Sequence, residues 1–267
     1  MSSNTPSVAR QQDEAVAAGN VSPQERLSIG AAFSPLYRQI KALILQSLDR
    51  GEWKPGEAIP SELDLAARFK VSQGTVRKAI DELAAENILL RRQGKGTFVT
   101  THHEERVRFR FLRLCPDDGP QVGSDSHYLD CRRVRAPAEI ARLLDVKTGD
   151  SLVQIRRRLS FSGKPTIIED IWLPGALVKG LTYERLSDYK GPLYGLFETE
   201  FGVRMIRADE KIRAVAAGPA ESSVLNLQEG TPLLQIERVS YTYGDRPVEV
   251  RRGHYCTANY HYLSNLN

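Results

Sequence analysis

The sequence predicts an α+β chain of two units: a small helical unit closed by a basic hairpin, then a larger antiparallel sheet carrying short helices. Three observations predict this. Pro60 to Val99 reads as two short capped helices, a tight turn and a glycine-rich hairpin. From about Arg108 the pattern becomes strand-like, with short helical inserts. That second half also contains an internal repeat.

The composition sets bounds on this reading. A chain of 267 residues has room for two domains. With 41% hydrophobic and 26% charged residues it has an ordinary globular composition. The formal net charge is only +4, so any affinity for nucleic acid must come from local clustering. No run approaches the ~18 apolar residues of a membrane span, and the N-terminus has no signal-peptide core, so a cytoplasmic location is expected. Cys115, Cys131 and Cys256 are odd in number and widely spaced, which fits reduced thiols better than a disulfide framework.

Residues 1–32 are rich in Ser, Gln, Ala and Asn and read as a disordered tail. A first helix follows from about Pro35, with Leu36, Ile40, Leu43, Ile44 and Leu48 at helical spacing. Gly51 and Pro55-Gly56 end it. Ser61 can cap a second helix, with Asp64 placed as in a capping box and Leu65 and Phe69 as its apolar pair. Val71 fills a turn and Ser72 caps a third helix, buried through Val76, Ile80 and Leu83. Its opposite face shows Gln73, Gly74, Arg77, Lys78 and Asp81. Leu89-Leu90, then Gln93 to Gly96, then Thr97 to Val99 read as strand, turn, strand.

Charge is sorted along this unit. Between Asp64 and Asp81 there is no acid, but Arg68, Lys70, Arg77 and Lys78 are present, and the hairpin adds Arg91, Arg92 and Lys95. Any single charge here fits a solvated surface. The ordered set fits a winged helix-turn-helix that tracks phosphates and sets one helix in a DNA major groove.

The repeat is visible as two aligned runs. Ala136-Pro137-Ala138-Glu139, Gly149 to Arg157 and Gly163-Lys164-Pro165 form the first copy. Gly218-Pro219-Ala220-Glu221, Gly230 to Arg238 and Gly244 to Pro247 form the second. Each is a short helix, a turn, a strand and a hairpin. Two copies suggest one pseudo-twofold domain, not a solenoid. Alternation puts Arg157 on a face with Val153, Ile155 and Leu159, and Glu169 on a face with Ile167 and Ile171. Charges among aliphatic neighbours need partners. Two readings stay open: Arg157 and Glu169 pair with each other or lie at a rim, or they line a ligand pocket. Arg238 occupies the place of Arg157 in the second copy, as a pocket residue or a structural pair.

Pro60-Ser61-Glu62, Val71-Ser72, Thr75-Val76-Arg77, Ala79 and Arg91 to Val99 resemble the DNA-binding domain of GntR-type transcription regulators. The second half resembles the UTRA effector domain of the HutC subfamily, through Arg157, Gly163-x-Pro165, Glu169, Leu173-Pro174, Leu193-Tyr194, Gly202, Pro247-Val248-Glu249 and Tyr255. The resemblance implies a winged helix-turn-helix over residues 33–101, a linker over 102–107 and an effector-binding and dimerisation domain over 108–267. It implies that this second domain has an α/β fold similar to chorismate lyase. It further implies a repressor that binds a palindromic operator as a homodimer, without cofactor or metal.

Carried over by position, Ser72, Thr75 and Arg77 are expected to meet DNA from the start of the recognition helix, beside Gln73 and Lys78. Gly94, Lys95 and Gly96 are expected in a minor groove, with Ser61, Arg91 and Arg92 supporting. Effector contacts fall on Arg157, Glu169, Tyr194, Glu249 and Tyr255. The chain departs from the family at two DNA-facing positions often held by Arg, here Leu63 and Gln73. Gln can read adenine where Arg prefers guanine. Sugar-phosphate-binding members carry a second Arg two residues beyond the first, and here that position is Leu159. The expected ligand is therefore a smaller anion, such as a carboxylate. An effector-independent DNA binder and a lyase-like enzyme using Glu169 and Arg157 are the alternatives. His254, Cys256 and His261, or His127 and Cys131, do not have standard zinc spacing. His102-His103-Glu104-Glu105 reads as a polar linker.

Overall fold

The computed structural model describes residues 34–102, 112–120 and 123–264. The expected tail at 1–32 and linker residues 103–107 lie outside the described residues.

Local chemistry sets the first unit. Helices α1 (Leu36–Asp49), α2 (Glu62–Phe69) and α3 (Gln73–Ala85) are followed by β1 (Leu89–Arg92) and β2 (Gly96–Val99). Ser61 accepts from the Asp64 amide while Asp64 reaches back to the Ser61 amide, a full capping box on α2. Lys70 closes α2 in a left-handed conformation, and Ser72 caps α3 through the Thr75 amide. Ile40, Ile44 and Leu48 of α1 meet Leu65 of α2 and Val76, Ile80 and Leu83 of α3 in one core, sealed by Leu89 and Val99. The two strands pair from Leu89↔Val99 to Arg92↔Gly96. Their turn needs glycine: Gly94 and Gly96 sit at φ 68° and 108°. The result is a winged helix-turn-helix.

The second unit is a six-stranded antiparallel sheet in the order β4-β5-β6-β9-β8-β7. Strands β4 (Ser124–Arg135), β5 (Ser151–Phe161) and β6 (Lys164–Pro174) form one half, with α4 (Ala138–Leu143) between β4 and β5. Strands β7 (Arg207–Ala216), β8 (Pro232–Tyr241) and β9 (Pro247–Cys256) form the other, with α7 (Pro219–Leu225) between β7 and β8. The sheet order reads the same from either edge, which is the pseudo-twofold the repeat predicted. Ser162 and Gly163 turn the β5–β6 hairpin with φ 48° and 76°, as a right-twisted two-residue hairpin demands.

The repeats are interlocked. Helix α4 of the first copy packs on β9 of the second, and α7 packs on β6 of the first. Ile140 and Leu144 thus share a core with Val239 and Val250, and Leu225 with Ile168 and Leu233. The opposite sheet face carries α5 (Tyr183–Asp188) and α6 (Leu193–Phe201) over Val153, Ile155 and Ile171. Beside them lies a two-stranded ribbon of β3 (Leu114–Pro116) and β10 (Tyr260–Tyr262), over Leu159, Phe161 and Tyr255.

A buried polar junction joins the two units. Arg204, after α6, donates through Nη1 to Tyr243 Oη at 2.6 Å and through Nη2 to the Thr100 carbonyl and hydroxyl. Its Nε lies 3.6 Å from Glu198 of α6. Glu198 also accepts from the His102 amide at 2.7 Å and the Thr101 hydroxyl at 2.9 Å. Tyr243 belongs to the core of the helical unit, and Arg246 reaches Asp49 at the end of α1 at 2.5 Å. His102 is therefore buried, although the sequence read it as part of a polar linker. The carboxylate of Glu198 captures its amide and draws it inward.

Candidate functional site

Three of the residues expected to meet DNA gather around one carboxylate. Glu62, the first residue of α2, accepts from Gln73 at 3.2 Å, Arg77 at 3.0 Å and Arg91 at 2.9 Å. Burial opposes ionisation of Glu62, but hydrogen bonds from Arg91, Arg77 and Gln73 outweigh it and hold the carboxyl below its usual range. Recognition helix and wing are thereby tied through α2, and Arg91 also reaches Asp81 of α3 at 2.8 Å. Ser61, Gln73, Arg91, Arg92, Gly94 and Lys95 share one cleft between helix and wing. The Arg92 guanidinium lies 4.6 Å over the Phe98 ring, and Lys78 lies 4.1 Å over Tyr37. The Ser72 and Thr75 hydroxyls are 2.8 Å apart at the start of α3. Leu63 is two-thirds exposed and lines the same cleft as Gln73. Glu62 is the organising residue that the sequence reading quoted without giving it a role.

The second site is a cavity of about 580 Å³ between the sheet, α5–α6 and the end of the wing segment. That is the size of a small-metabolite pocket. Its wall includes Arg157, Tyr194 and Arg251, with Ser126 from β4 and His102. Arg157 Nε donates to Glu169 at 2.8 Å, and its Nη1 is 3.4 Å from Ser126 Oγ. Arg251 Nη1 donates to the same Glu169 at 3.2 Å, and Nη2 to Glu249 at 3.0 Å. The pairing reading of Arg157 and Glu169 is the one seen; of the pocket reading only Arg157 is found in the cavity wall, since Glu169 does not line it.

Of the expected effector residues, Arg157 and Tyr194 line the cavity, while Glu169, Glu249 and Tyr255 stand behind it. Glu169 bridges the two guanidiniums and accepts from Tyr255 at 3.2 Å. Glu249 accepts from Tyr194 at 2.7 Å and Ser240 at 3.1 Å. Burial pushes both phenols up, which keeps them as donors. A Cβ at Gly253 would fall 2.5 Å from the Tyr255 ring, so the missing side chain leaves that ring the space from which its hydroxyl reaches Glu169. Arg238 is buried and pairs with Glu210 at 2.6 Å, away from the cavity wall. Of its two readings, the structural pair is the one seen.

Arg251 was missed. It stands at the second-copy position of Glu169, since Arg157 pairs with Glu169 across β5–β6 and Arg238 with Arg251 across β8–β9. The alternation Glu249, Arg251, Gly253, Tyr255 could have revealed it. Arg251 supplies a second guanidinium where Leu159 offers none.

Desolvation would raise the Glu169 carboxyl, but Arg251 and Arg157 hold it down to about 2. Unfolded, it titrates near its ordinary value of 4.5. This group therefore contributes stability that is complete above about pH 4.5 and lost as pH falls toward 2. Denaturant midpoints of the parent should fall steeply below pH 4.5, and Glu169→Gln should flatten that slope. Equal slopes in the two proteins would remove Glu169 from the acid response.

The cysteines are free among the described residues, and burial pushes the Cys131 thiol up to about 11, out of the reactive range. Cys256 packs beside Leu225 and Leu233. His254 bonds Gln235 and His261 bonds Asp117. Among the described residues no helix is long and apolar enough to cross a membrane.

A winged helix-turn-helix joined to a cavity-bearing sheet domain defines a class: DNA-binding regulators governed by a small molecule. Comparison with known proteins gives the family. The profile of bacterial regulatory proteins of the GntR family matches residues 36–99, and that of the UTRA domain matches residues 122–261. The chain belongs to the GntR family of transcription regulators, in its HutC subfamily, and is not an enzyme. It is 30% identical to the mannosyl-D-glycerate transport/metabolism system repressor MngR of Escherichia coli over 85% of this chain and 93% of that one. It is 27% identical to the histidine utilization repressor of Pseudomonas putida over 84% of this chain and 89% of that one. Among solved structures, the ligand-binding domain of a protein assigned to the GntR family from Bordetella bronchiseptica is 58% identical with a TM-score of 0.57. That alignment covers 59% of this chain and 98% of that one.

Proposed function

We propose that the chain is a cytoplasmic repressor that binds a palindromic operator as a homodimer and releases it when a small carboxylate enters the cavity at Arg157. In this reading residues 33–101 read DNA and residues 108–267 bind effector and dimerise. Ser72, Gln73, Thr75, Arg77 and Lys78 meet the major groove; Gly94, Lys95 and Gly96 enter a minor groove, with Ser61, Arg91 and Arg92 beside them. The word repressor stands in the names of both relatives above.

One observation carries the ligand class. The two cavity guanidiniums, Arg157 and Arg251, already share the two buried carboxylates Glu169 and Glu249. A ligand there meets directed donors without a large surplus of positive charge. That suits a single carboxylate better than a phosphate dianion. Release follows if the effector binds the DNA-incompetent geometry more tightly.

A thermal-shift panel of carboxylates and sugar phosphates on the full chain tests this. A carboxylate should raise the melting temperature and weaken operator binding. Arg157→Ala should abolish the shift while operator affinity stays within about threefold. A shift from sugar phosphates alone, or one that survives Arg157→Ala, would sink the reading.

A further inference from the structure

The short segment that leaves the wing forms part of the cavity wall. Strand β2 ends at Val99, and three residues later the His102 imidazole lies in the cavity wall with Arg157, Tyr194 and Arg251. Its ring meets the Tyr194 ring edge-on, with centroids 5.4 Å apart. The Arg251 guanidinium lies 5.0 Å from the same Tyr194 ring on another approach. His102 is 3% exposed, and its amide is fixed by Glu198, one turn beyond Tyr194 on α6. Thr100, two residues back, is bonded to Ile88 ahead of the wing and to Arg204. So the cavity wall, α6 and the root of the wing meet at one short segment.

We propose that His102 is an effector-contacting residue, supplied by the segment that leaves the wing, and that an anion bound over Arg157 is read there directly. This rests on the effector reading above. A ligand reaching from the guanidiniums past Tyr194 meets the imidazole, a group able to donate or accept a hydrogen bond. Movement of His102 strains the Glu198–Thr101–His102 bonds and, through Thr100, the base of the wing. Signal and DNA-binding unit are then separated by two residues, with no long relay required. A binding event can shift the balance only by its differential affinity for the two positions of this segment.

The test places a known anion in the cavity of the full-length protein. Ser126→Cys and, separately, His102→Cys are labelled with 2-sulfonatoethyl methanethiosulfonate, which leaves a sulfonate tethered at the introduced thiol. Operator affinity of each labelled protein is compared with its own unlabelled form, and the labelled parent reports any effect of the native cysteines. Labelling either variant should weaken operator binding at least tenfold. Adding His102→Asn to Ser126→Cys should leave labelling intact and reduce the loss to less than threefold. If the loss persists unchanged with His102→Asn, the cavity still governs DNA binding but His102 does not read it. If labelled Ser126→Cys binds operator as before, the effector reading itself falls, and this inference with it. A His102→Cys protein that folds but takes up no reagent would also overturn the proposal. Should that variant fail to fold, the Ser126→Cys pair decides alone.

Discussion

Glu169→Ala is expected to destabilise the effector domain by about 3–5 kcal/mol, the range for breaking a buried ion pair by removing one partner. Glu169 is 1% exposed and holds both Arg157 and Arg251. Its loss leaves two guanidiniums competing for Glu249 and Ser126 in a region shielded from water. For a domain of this size the change corresponds to a fall of roughly 6–20 °C in melting temperature. Scanning calorimetry of the full chain reads it, and a fall under about 2 °C would contradict the bridging role. A second substitution at this position separates packing from charge. Glu169→Gln keeps the shape and some hydrogen bonding, so it should cost less than Glu169→Ala while still flattening the loss of stability below pH 4.5.

Arg204→Ala is expected to cost a similar amount, about 3–5 kcal/mol, at the junction between the units. The guanidinium satisfies the Thr100 carbonyl and the Tyr243 hydroxyl and faces Glu198, all buried. With it gone, the junction holds unpaired polar groups, and separating the units lets water reach them. A protein that melts in one transition should then melt in two, because the helical unit no longer shares the stability of the sheet domain. Circular dichroism at a helix-sensitive wavelength, compared with tyrosine fluorescence, distinguishes the outcomes. Coincident transitions at the parent temperature would show that Arg204 does not couple the units. Tyr243→Phe removes only one hydroxyl of the same cluster and should cost about 1–3 kcal/mol, the range for a buried group left without its partner.

Much of this protein is legible from short stretches of chain. The capping box at Ser61 and Asp64, the cap at Ser72 and the glycine turn at Gly94 and Gly96 depend on residues within a few positions of each other. So do the alternating faces around Arg157 and Glu169, and the paired Gly-turn-strand-hairpin runs that announced the pseudo-twofold sheet. These features follow from backbone geometry and periodicity, which act locally, so sequence inspection finds them. Likeness to a known family then added function, because the motif residues resemble those of GntR-type regulators and both family profiles match the chain.

Three things were not legible in this way. Glu62 gathers Gln73, Arg77 and Arg91 only because α2 lies across the start of α3 and the wing returns beside both. Arg251 joins Arg157 only because β6 and β9 pair at the pseudo-twofold, which places the second-copy position next to the first-copy pair. His102 looks like a polar linker residue until Glu198 is seen holding its amide. Each case joins residues far apart in the chain, and the partner depends on strand register and helix placement.

The sequence by itself therefore determined the two units, the recognition helix and wing, the duplicated sheet and the charged pair at its centre. The tertiary structure alone decided that Arg157 of that pair faces a cavity, that a second guanidinium, Arg251, stands beside it, and that His102, just after the wing, forms part of its wall. The reason is physical. Caps, turns and alternation are set by neighbours along the chain, whereas a pocket exists only where distant segments, each satisfying its own buried polar groups, converge on the same volume.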